Sequence, residues 1–562
     1  MRKTKNHWKK KTANPLFLVF VASALFSYCG NKIVSQDLID EEFLTTGQSA
    51  KDLSVPANNT STRPEPAFCV EYQTGDYCLP TGNIGNSRFS QIVLSKTVSG
   101  NSYTLANSDL TGISQLDATQ YYWRVSVAKF HTNLQSNTYS IHVVDSTNYY
   151  VNGASGAATQ YGNKSSPFKL LQVAINAASA ARSSSNTNMI IRVASGTYVE
   201  NIYMKAGVSI YGGYEATAWT RNTSANTTTI TASSNIGIYA GSDITSLFTA
   251  STVADGFTIN GGSSAGASNY GIYIINGNPT ISNNSVNGSS CTISGDCYGI
   301  YVSGASPVIS GNSIRGGSQT SNLFATYGIY NTNTATPVIT NNAVNAGTNS
   351  GTNAGASNTY GIHSTNASLP TISNNTINGG GASSGIAYGI FHSFTGTSIV
   401  TNNIIFTTSG GQRFGIYESG VSTGALSLQN NLLFDCPTAL YYDQTTLTNH
   451  TTEAAINNPA NTTQGTAASS SGNLGPASVA NFAAVFFTSA SDLRLTSSSP
   501  LNVRCGGKDT SQNSCGAAGS ASCGSVSKDF DSLLRTTGLS GTCTGASNTG
   551  AAGYSIGAYE KD

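Results

Sequence analysis

One short pattern occurs six times in the middle of this chain. Tyr270-Gly271-Ile272 returns as Tyr298-Gly299-Ile300, Tyr327-Gly328-Ile329, Tyr360-Gly361-Ile362, Tyr388-Gly389-Ile390 and Phe414-Gly415-Ile416. Each copy is followed by an asparagine, giving the column Asn284, Asn312, Asn342, Asn375, Asn403 and Asn431, with steps of 28, 30, 33, 28 and 28 residues. A fixed period of this length marks a solenoid, in which no repeat can bury its apolar face without its neighbours. Within a unit, Tyr270, Ile272 and Ile274 alternate with Gly271, Tyr273 and Ile275, which is the two-residue period of a strand. Asn276-Gly277 and Pro279 break that run, Thr280-Ile281-Ser282 reads as a second short strand, and Asn283-Asn284 turns the chain toward Val286. Pro307, Pro337 and Pro370 repeat the break. The units lack the i, i+3, i+4, i+7 spacing of helical repeats.

The expected fold is all-β: short parallel strands coiled into a single-stranded parallel β-helix, each coil ~4.8 Å above the last. Like residues then stack. The asparagines become a ladder whose amides satisfy buried polar groups. The Tyr270 and Ile272 columns are expected to point inward together. Tyr273, Tyr301, Tyr330, His363, Phe391 and Tyr417 would form an outward aromatic stripe able to contact a glycan. His363 reads as a stacking partner in this stripe rather than a base, with His392 one position on and facing the other way.

Upstream, Tyr149 to Gly153 and Gly162 to Phe168 precede a stripe of Phe168, Leu171, Ile175 and Ala178. The stripe predicts a helix capped by Ser166, with Pro167 in its first turn, closing the end of the rod. Ile190 to Val193, Gly196 to Glu200, Val208 to Tyr214 and the terminal Ile556-Gly557-Ala558-Tyr559-Glu560 follow. Over residues 148–562 these features resemble right-handed parallel β-helix proteins of the pectin-lyase-like group, including an uncharacterised family of bacterial surface proteins. Ser555 stands where the terminal motif of that group has Asp.

The front of the chain is organised differently. Residues 1–29 carry a basic stretch, an apolar run from Leu16 to Phe26 and Leu25-Phe26-Ser27-Tyr28-Cys29, which resembles an export signal ending in a lipoprotein box with Cys29 as the lipidated residue. Phe26 and Tyr28 depart from the usual box. The resemblance implies an exported protein of the cell envelope, at the outer membrane or cell surface, held by an N-terminal lipid. Residues 30–66 have no apolar period and read as a flexible tether. Residues 67–145 hold strand-like runs at Gln91 to Leu94, Ser102 to Leu105, Tyr121 to Val127 and Tyr139 to Val143, expected as a small β-sandwich-like module. Tyr121-Tyr122-Trp123-Arg124-Val125 resembles a strand of fibronectin type III modules. The β-helix is then assigned to 146–445, with further coils and a cap over 446–562.

Charge argues about function. The 562 residues contain 27 basic and 26 acidic side chains, for a net charge of +1, and no basic patch outside the signal, so nucleic acid is not an expected partner. Ten cysteines suit an exported chain. Cys69 with Cys78 and Cys291 with Cys297 are candidate disulfides, while Cys436, Cys505, Cys515, Cys523 and Cys543 have no readable pairing. No metal or cofactor is expected. Between Tyr270 and Asn431 the charged residues are Asp296, Arg315, Arg413 and Glu418, and no two carboxylates there occupy matching positions. Glycoside hydrolysis commonly needs a carboxylate pair and lyase chemistry a base with a bound cation. Arg413 and Glu418 are expected as a surface pair, and Asp435 and Asp443 as turn residues. The reading is a non-catalytic envelope protein that presents a rigid surface for adhesion, scaffolding or glycan binding. Its partners would be a glycan or a host or neighbouring surface protein. The alternative is a polysaccharide lyase or glycoside hydrolase.

Overall fold

The computed structural model describes the strands between 31 and 145 by their backbone and residues 147–477 in full, apart from 156–158, 183–187, 242–248, 264–266, 292–294, 394–397, 421–425 and 459–469. The chain divides into two compact units: 1–150 with 155–168 and 183–186, and 151–154 with 169–182 and 187–562.

In the first unit the described strands between 31 and 145 make one antiparallel sheet. Its order is Asn31–Val34, Tyr139–Asp145, Gln120–Lys129, Thr81–Gly85, Ile92–Thr97, with Thr132–Gln135 paired to Gln120–Lys129. Asn31–Val34 was expected in the tether. Its apolar Ile33 and Val34 instead extend the sheet edge, in register with Val143 and His142. Ser102 to Leu105, Cys29, Cys69, Cys78, the terminal Ile556 to Glu560 and the four cysteines beyond 500 lie outside the described residues.

The second unit is a parallel β-helix. A representative coil runs through Cys297–Ser303, Val308–Ser310, Ser313–Arg315 and Ser318–Gln319 before the next begins at Thr326–Thr332. Each strand pairs in parallel with its equivalent one coil away, Ile300 beside Ile329, Ile309 beside Ile339 and Ile314 beside Val344. Three long sheets result, and a short fourth joins them over four coils. The lumen is filled by three apolar columns represented by Ile300, Ile309 and Ile314, each at most 1% exposed. Burial of one such side chain is worth about 1.5–3 kcal/mol, and the columns repeat it coil after coil.

The turn between the second and third strands explains the asparagine pairs. Asn283, Gly311, Asn341, Asn374, Asn402 and Asn430 have φ between 53° and 65°, the left-handed region that asparagine and glycine tolerate best. The residue after each is a ladder asparagine. The Oδ1 of Asn342 accepts the backbone N–H of Asn312 at 2.9 Å and its Nδ2 at 3.0 Å, while the Nδ2 of Asn342 donates to Ile309 O, Thr340 O and the Oδ1 of Asn375. The same bonds join Asn284 to Asn312 and continue through Asn403 to Asn431. The ladder runs on to Asn473 and ends on Asn457, whose Oδ1 accepts both donors of Asn473. These last two fall outside the regular step, because 42 residues separate Asn431 from Asn473.

The capping helix spans Leu171–Ala180 and buries Leu171, Ala174, Ile175 and Ala178. It starts later than the Ser166 and Pro167 signature predicts. Leu170 occupies the N-cap with no side-chain bond of its own, and the carboxylate of Glu200 accepts the N–H groups of Leu171 and Gln172 at 2.8 and 3.0 Å. A carboxylate supplied from a strand does the work of a cap and complements the helix dipole. Phe168 stays outside the helix and stacks on Tyr149. The amide of Gln172 accepts from Tyr203 N at 2.7 Å and donates to Tyr203 O at 3.2 Å. One side chain therefore stands in for a strand at the edge of the first sheet.

Asn342→Ala would orphan the buried N–H of Asn312 and two carbonyls. It is expected to lower stability by about 2–4 kcal/mol in urea unfolding, whereas the exposed Ser313→Ala should change it by less than about 0.5 kcal/mol.

Candidate functional site

Two aromatic columns lie side by side on one face of the first sheet. The rings of Tyr270, Tyr298, Tyr327, Tyr360 and Tyr388 stack with centroids 4.8–5.0 Å apart and planes within 10°, and Phe414 continues the stack at 5.6 Å. The second column packs against it edge-on. Tyr301 meets Tyr298 at 5.1 Å and 86°, and Phe391 meets Tyr388 at 5.1 Å and 84°.

This corrects the expectation that the Tyr270 column points inward with Ile272. Tyr270 and Tyr273 rings touch at 5.0 Å and share a face, while Ile272 is fully buried on the other. The glycine between them is the cause. Neighbouring strands pair Tyr with Tyr and Ile with Ile, skipping it. A Cβ on Gly299 would lie 2.6 Å from both Gly328 O and Ile314 Cγ2. The backbone closes on its neighbour there, and the two-residue alternation slips.

The outward stripe holds Tyr273, Tyr301, Tyr330, His363, Phe391 and Tyr417, all half-buried. It is longer than the repeats indicate. Tyr203 and Tyr239 precede it in register and Tyr442 follows. The Gly237-Ile238-Tyr239 run was a legible signal, obscured because Ile236 stands where other coils carry an aromatic residue. His363 takes a rung among Tyr360, Tyr330 and Phe391 at 4.7, 4.9 and 4.5 Å. Burial pushes its imidazole down to about 3, so it is neutral at physiological pH. Many rungs have their faces occupied by one another, as in Tyr301 on Tyr330 at 16° and Phe391 on Tyr417 at 8°. Such rings offer edges outward. Tyr203, at one end of the column, is 48% exposed.

A second grouping is internal. One column of the first sheet changes from Ile274 and Val302 to Asn331, Ser364, His392 and Glu418. Asp443 follows in the next coil, where Tyr441 and Tyr442 pair with Ile416 and Tyr417. Two carboxylates therefore do meet on adjacent coils, one coil beyond the segment in which the sequence shows none. Glu418 is no surface partner of Arg413. It is 3% exposed and accepts the Tyr441 hydroxyl at 2.7 Å. Arg413 instead reaches Thr408 O. Ile416 and Glu418 are two residues apart on one strand, so the face that buries the isoleucine buries the carboxyl too. Asp443 accepts Thr445 N and the Thr446 hydroxyl in a turn, and His450 stacks on Tyr441. Burial raises Glu418 to about 7, with Asp443 adding to the rise and the Tyr441 bond opposing it. Burial holds His392 well below its ordinary value. A carboxyl pair with one member near neutrality has the composition of a glycosidase site. Here both carboxyls are enclosed in the coil and each is 3% exposed. Asp435 sits in a left-handed turn and its carbonyl accepts the Thr407 hydroxyl.

Cys291 and Cys297 form a disulfide, Cα to Cα 5.9 Å, between one coil and the next. Cys436 is a buried free thiol whose ionisation burial pushes up to about 12. Among the described residues no group of three or more His, Cys, Asp and Glu could hold a metal ion.

The fold defines the class: a parallel β-helix protein. Residues 154–365 match the family described as "Protein of unknown function (DUF1565)". Among solved structures, Geobacillus virus E2 ORF18 is similar at 12% identity, over 56% of this chain and 63% of that one, with a TM-score of 0.27. No curated protein matches.

Glu418 generates a pH test. Its folded pKa lies above the ordinary 4.5, so its proton favours the fold; the contribution is complete below 4.5 and is lost as pH rises toward 7. Glu418→Gln should keep the Tyr441 bond and remove this slope. Its stability curve would separate from the parent's above pH 4.5, by an amount on the order of 3 kcal/mol at pH 8. Parallel curves in urea titrations across that window would contradict the assignment.

Proposed function

We propose that this chain is an exported, lipid-anchored envelope protein that works without catalysis, as a rigid β-helix displayed for adhesion or scaffolding. The observation that carries this reading is that one register is locked both by the buried asparagine ladder and by the paired aromatic columns, so the rod keeps a fixed surface. A stacked solenoid of this kind suits presentation along an extended face. Cys29 is the proposed lipidation residue, which would hold the protein at the outer membrane or cell surface. Among the described residues no helix is long and apolar enough to cross a membrane.

Glycan contact is the more specific form of the proposal. The half-buried stripe offers ring edges and hydroxyls along its length, and the exposed Tyr203 offers more of its ring for stacking on a sugar. The enzymatic alternative finds a candidate carboxyl pair in Glu418 and Asp443, whose burial weighs against it.

Metabolic labelling with an alkyne palmitate should mark the parent chain and leave Cys29→Ala unmarked, with protease treatment of intact cells reporting exposure. On a glycan array, Tyr301→Ala with Tyr330→Ala should reduce binding while circular dichroism stays β-rich. Unchanged binding would remove the stripe from the reading. Product release from acidic or neutral polysaccharides, with or without calcium, would favour the enzyme instead.

A further inference from the structure

The two aromatic columns contain an unbroken route made of tyrosines alone. From the exposed end it passes Tyr203, Tyr239, Tyr273, Tyr301 and Tyr330, with centroid steps of 5.7, 5.5, 4.9 and 5.2 Å. The outer column is then interrupted by His363 and Phe391, but the inner column bridges the gap. Tyr330 touches Tyr327 at 5.0 Å, and Tyr360 and Tyr388 follow at 4.9 and 4.8 Å. The route returns outward to Tyr417 at 5.2 Å and ends on Tyr442 at 4.4 Å. Every coil from Tyr203 to Tyr442 contributes at least one phenol in contact with the next.

We propose that these tyrosines form a radical-transfer path and that Tyr203 is its outlet, an oxidative cross-linking site between two copies of the chain. Phenol rings are readily oxidised by one electron, and electron exchange between rings in contact is fast. The oxidant is a one-electron acceptor of the ferryl-haem class, or a photogenerated ruthenium(III) complex. It takes one electron from a ladder tyrosine, and the hole moves by electron exchange toward the ring that can release its proton. The inner-column phenols Tyr327, Tyr360 and Tyr388 are 9%, 8% and 5% exposed, so little solvent lies beside them to take a proton from an oxidised ring. Tyr298 is an exception, since its hydroxyl donates to Asp296 Oδ2 at 2.9 Å and a second, enclosed radical can rest there. Tyr203 is 48% exposed and gives its proton to water, leaving a neutral phenoxyl radical. Two such radicals on two molecules join through their ortho carbons, and the ortho hydrogens shift to the oxygens to restore both phenols. Each cross-link therefore releases two electrons to the oxidant and two protons to solvent.

The test places the oxidant far from the outlet. A ruthenium tris(bipyridyl) sensitiser is clicked to an azide-bearing residue substituted at Leu447, which is 68% exposed and lies in the hairpin that follows Tyr442. Flash photolysis with a persulfate quencher should give a dityrosine-linked dimer, mapped by mass spectrometry to Tyr203 and lost in Tyr203→Phe. Tyr360 is the discriminating position, because its coil offers only His363 as a second ring. Tyr360→Phe keeps the stack but cuts the route, and should remove most of the dimer. Tyr301→Phe should remove much less of it, because Tyr273, Tyr270, Tyr298 and Tyr327 bypass that rung in steps of 5.0, 5.0 and 4.9 Å, the loss being the share of radical that rests on Tyr298. Equal dimer yield from Tyr360→Phe and the parent, with both folded by circular dichroism, would overturn the proposal. So would cross-links that map elsewhere.

Discussion

The amide bond between stacked asparagines is the interaction on which the rest of the second unit depends. Each ladder residue sits at a corner where the chain turns inside the rod, and a corner there exposes backbone N–H and C=O groups that no sheet can pair. One side-chain oxygen takes two donors from the coil before it, and one side-chain nitrogen supplies the carbonyls. Leaving a single such group unpaired costs about 1–3 kcal/mol, so a coil that slipped would lose several bonds together. The register is therefore quantised. Between Asn284 and Asn431 coil lengths can range from 28 to 33 residues because the extra residues are spent elsewhere, while the corners stay aligned.

The aromatic columns follow from that alignment. Once corners stack, the strand that opens each coil must stack too, and any residue type repeated on it becomes a pile one coil apart. The glycine in each copy then decides which side the pile occupies. Its missing Cβ lets the backbone approach the carbonyl of the neighbouring glycine, and the adjacent tyrosine stays outside with the next aromatic rather than entering the isoleucine core. A ring enclosed by rings above, below and beside it is both half-desolvated and orientationally fixed, which explains the parallel planes of one column and the edge-on packing of the other.

How far these features could be read beforehand depends on whether they repeat. The parallel β-helix, the isoleucine columns and the six central asparagines were legible because each recurs at a fixed offset. The face of Tyr270 was not, since period-two reasoning assumes every residue advances the pleat equally, and Gly271 does not. The rungs at Tyr203 and Tyr442 and the ladder members Asn473 and Asn457 lie in coils whose neighbouring residues have diverged, so only three-dimensional register reveals them. Glu418 and Asp443 escaped for a related reason: they are 25 positions apart, in a stretch where the coil has shortened, and their match appears only when Ile416 is laid on Tyr441. The helix start was misplaced because a serine before a proline is a local signal, whereas the cap comes from Glu200, about 30 residues away.

The polar drift of that internal column also explains where, among the described residues, the first sheet stops adding parallel strands. Aliphatic residues at Ile274 and Val302 give way to an amide, a hydroxyl, an imidazole and finally two carboxyls. Each step lowers the gain from adding another parallel coil, because desolvating a carboxyl opposes the burial that drives stacking. After Asp443 the chain reverses, and Thr448–His450 pairs antiparallel with Ala439–Asp443, placing His450 over Tyr441 beside the buried acids. Asparagine satisfies a corner without charge and can repeat without limit, whereas a carboxyl on the lumen face cannot. Among the described residues the first sheet adds parallel strands while the polar groups of this column are uncharged, and it turns back on itself once two carboxyls follow one another.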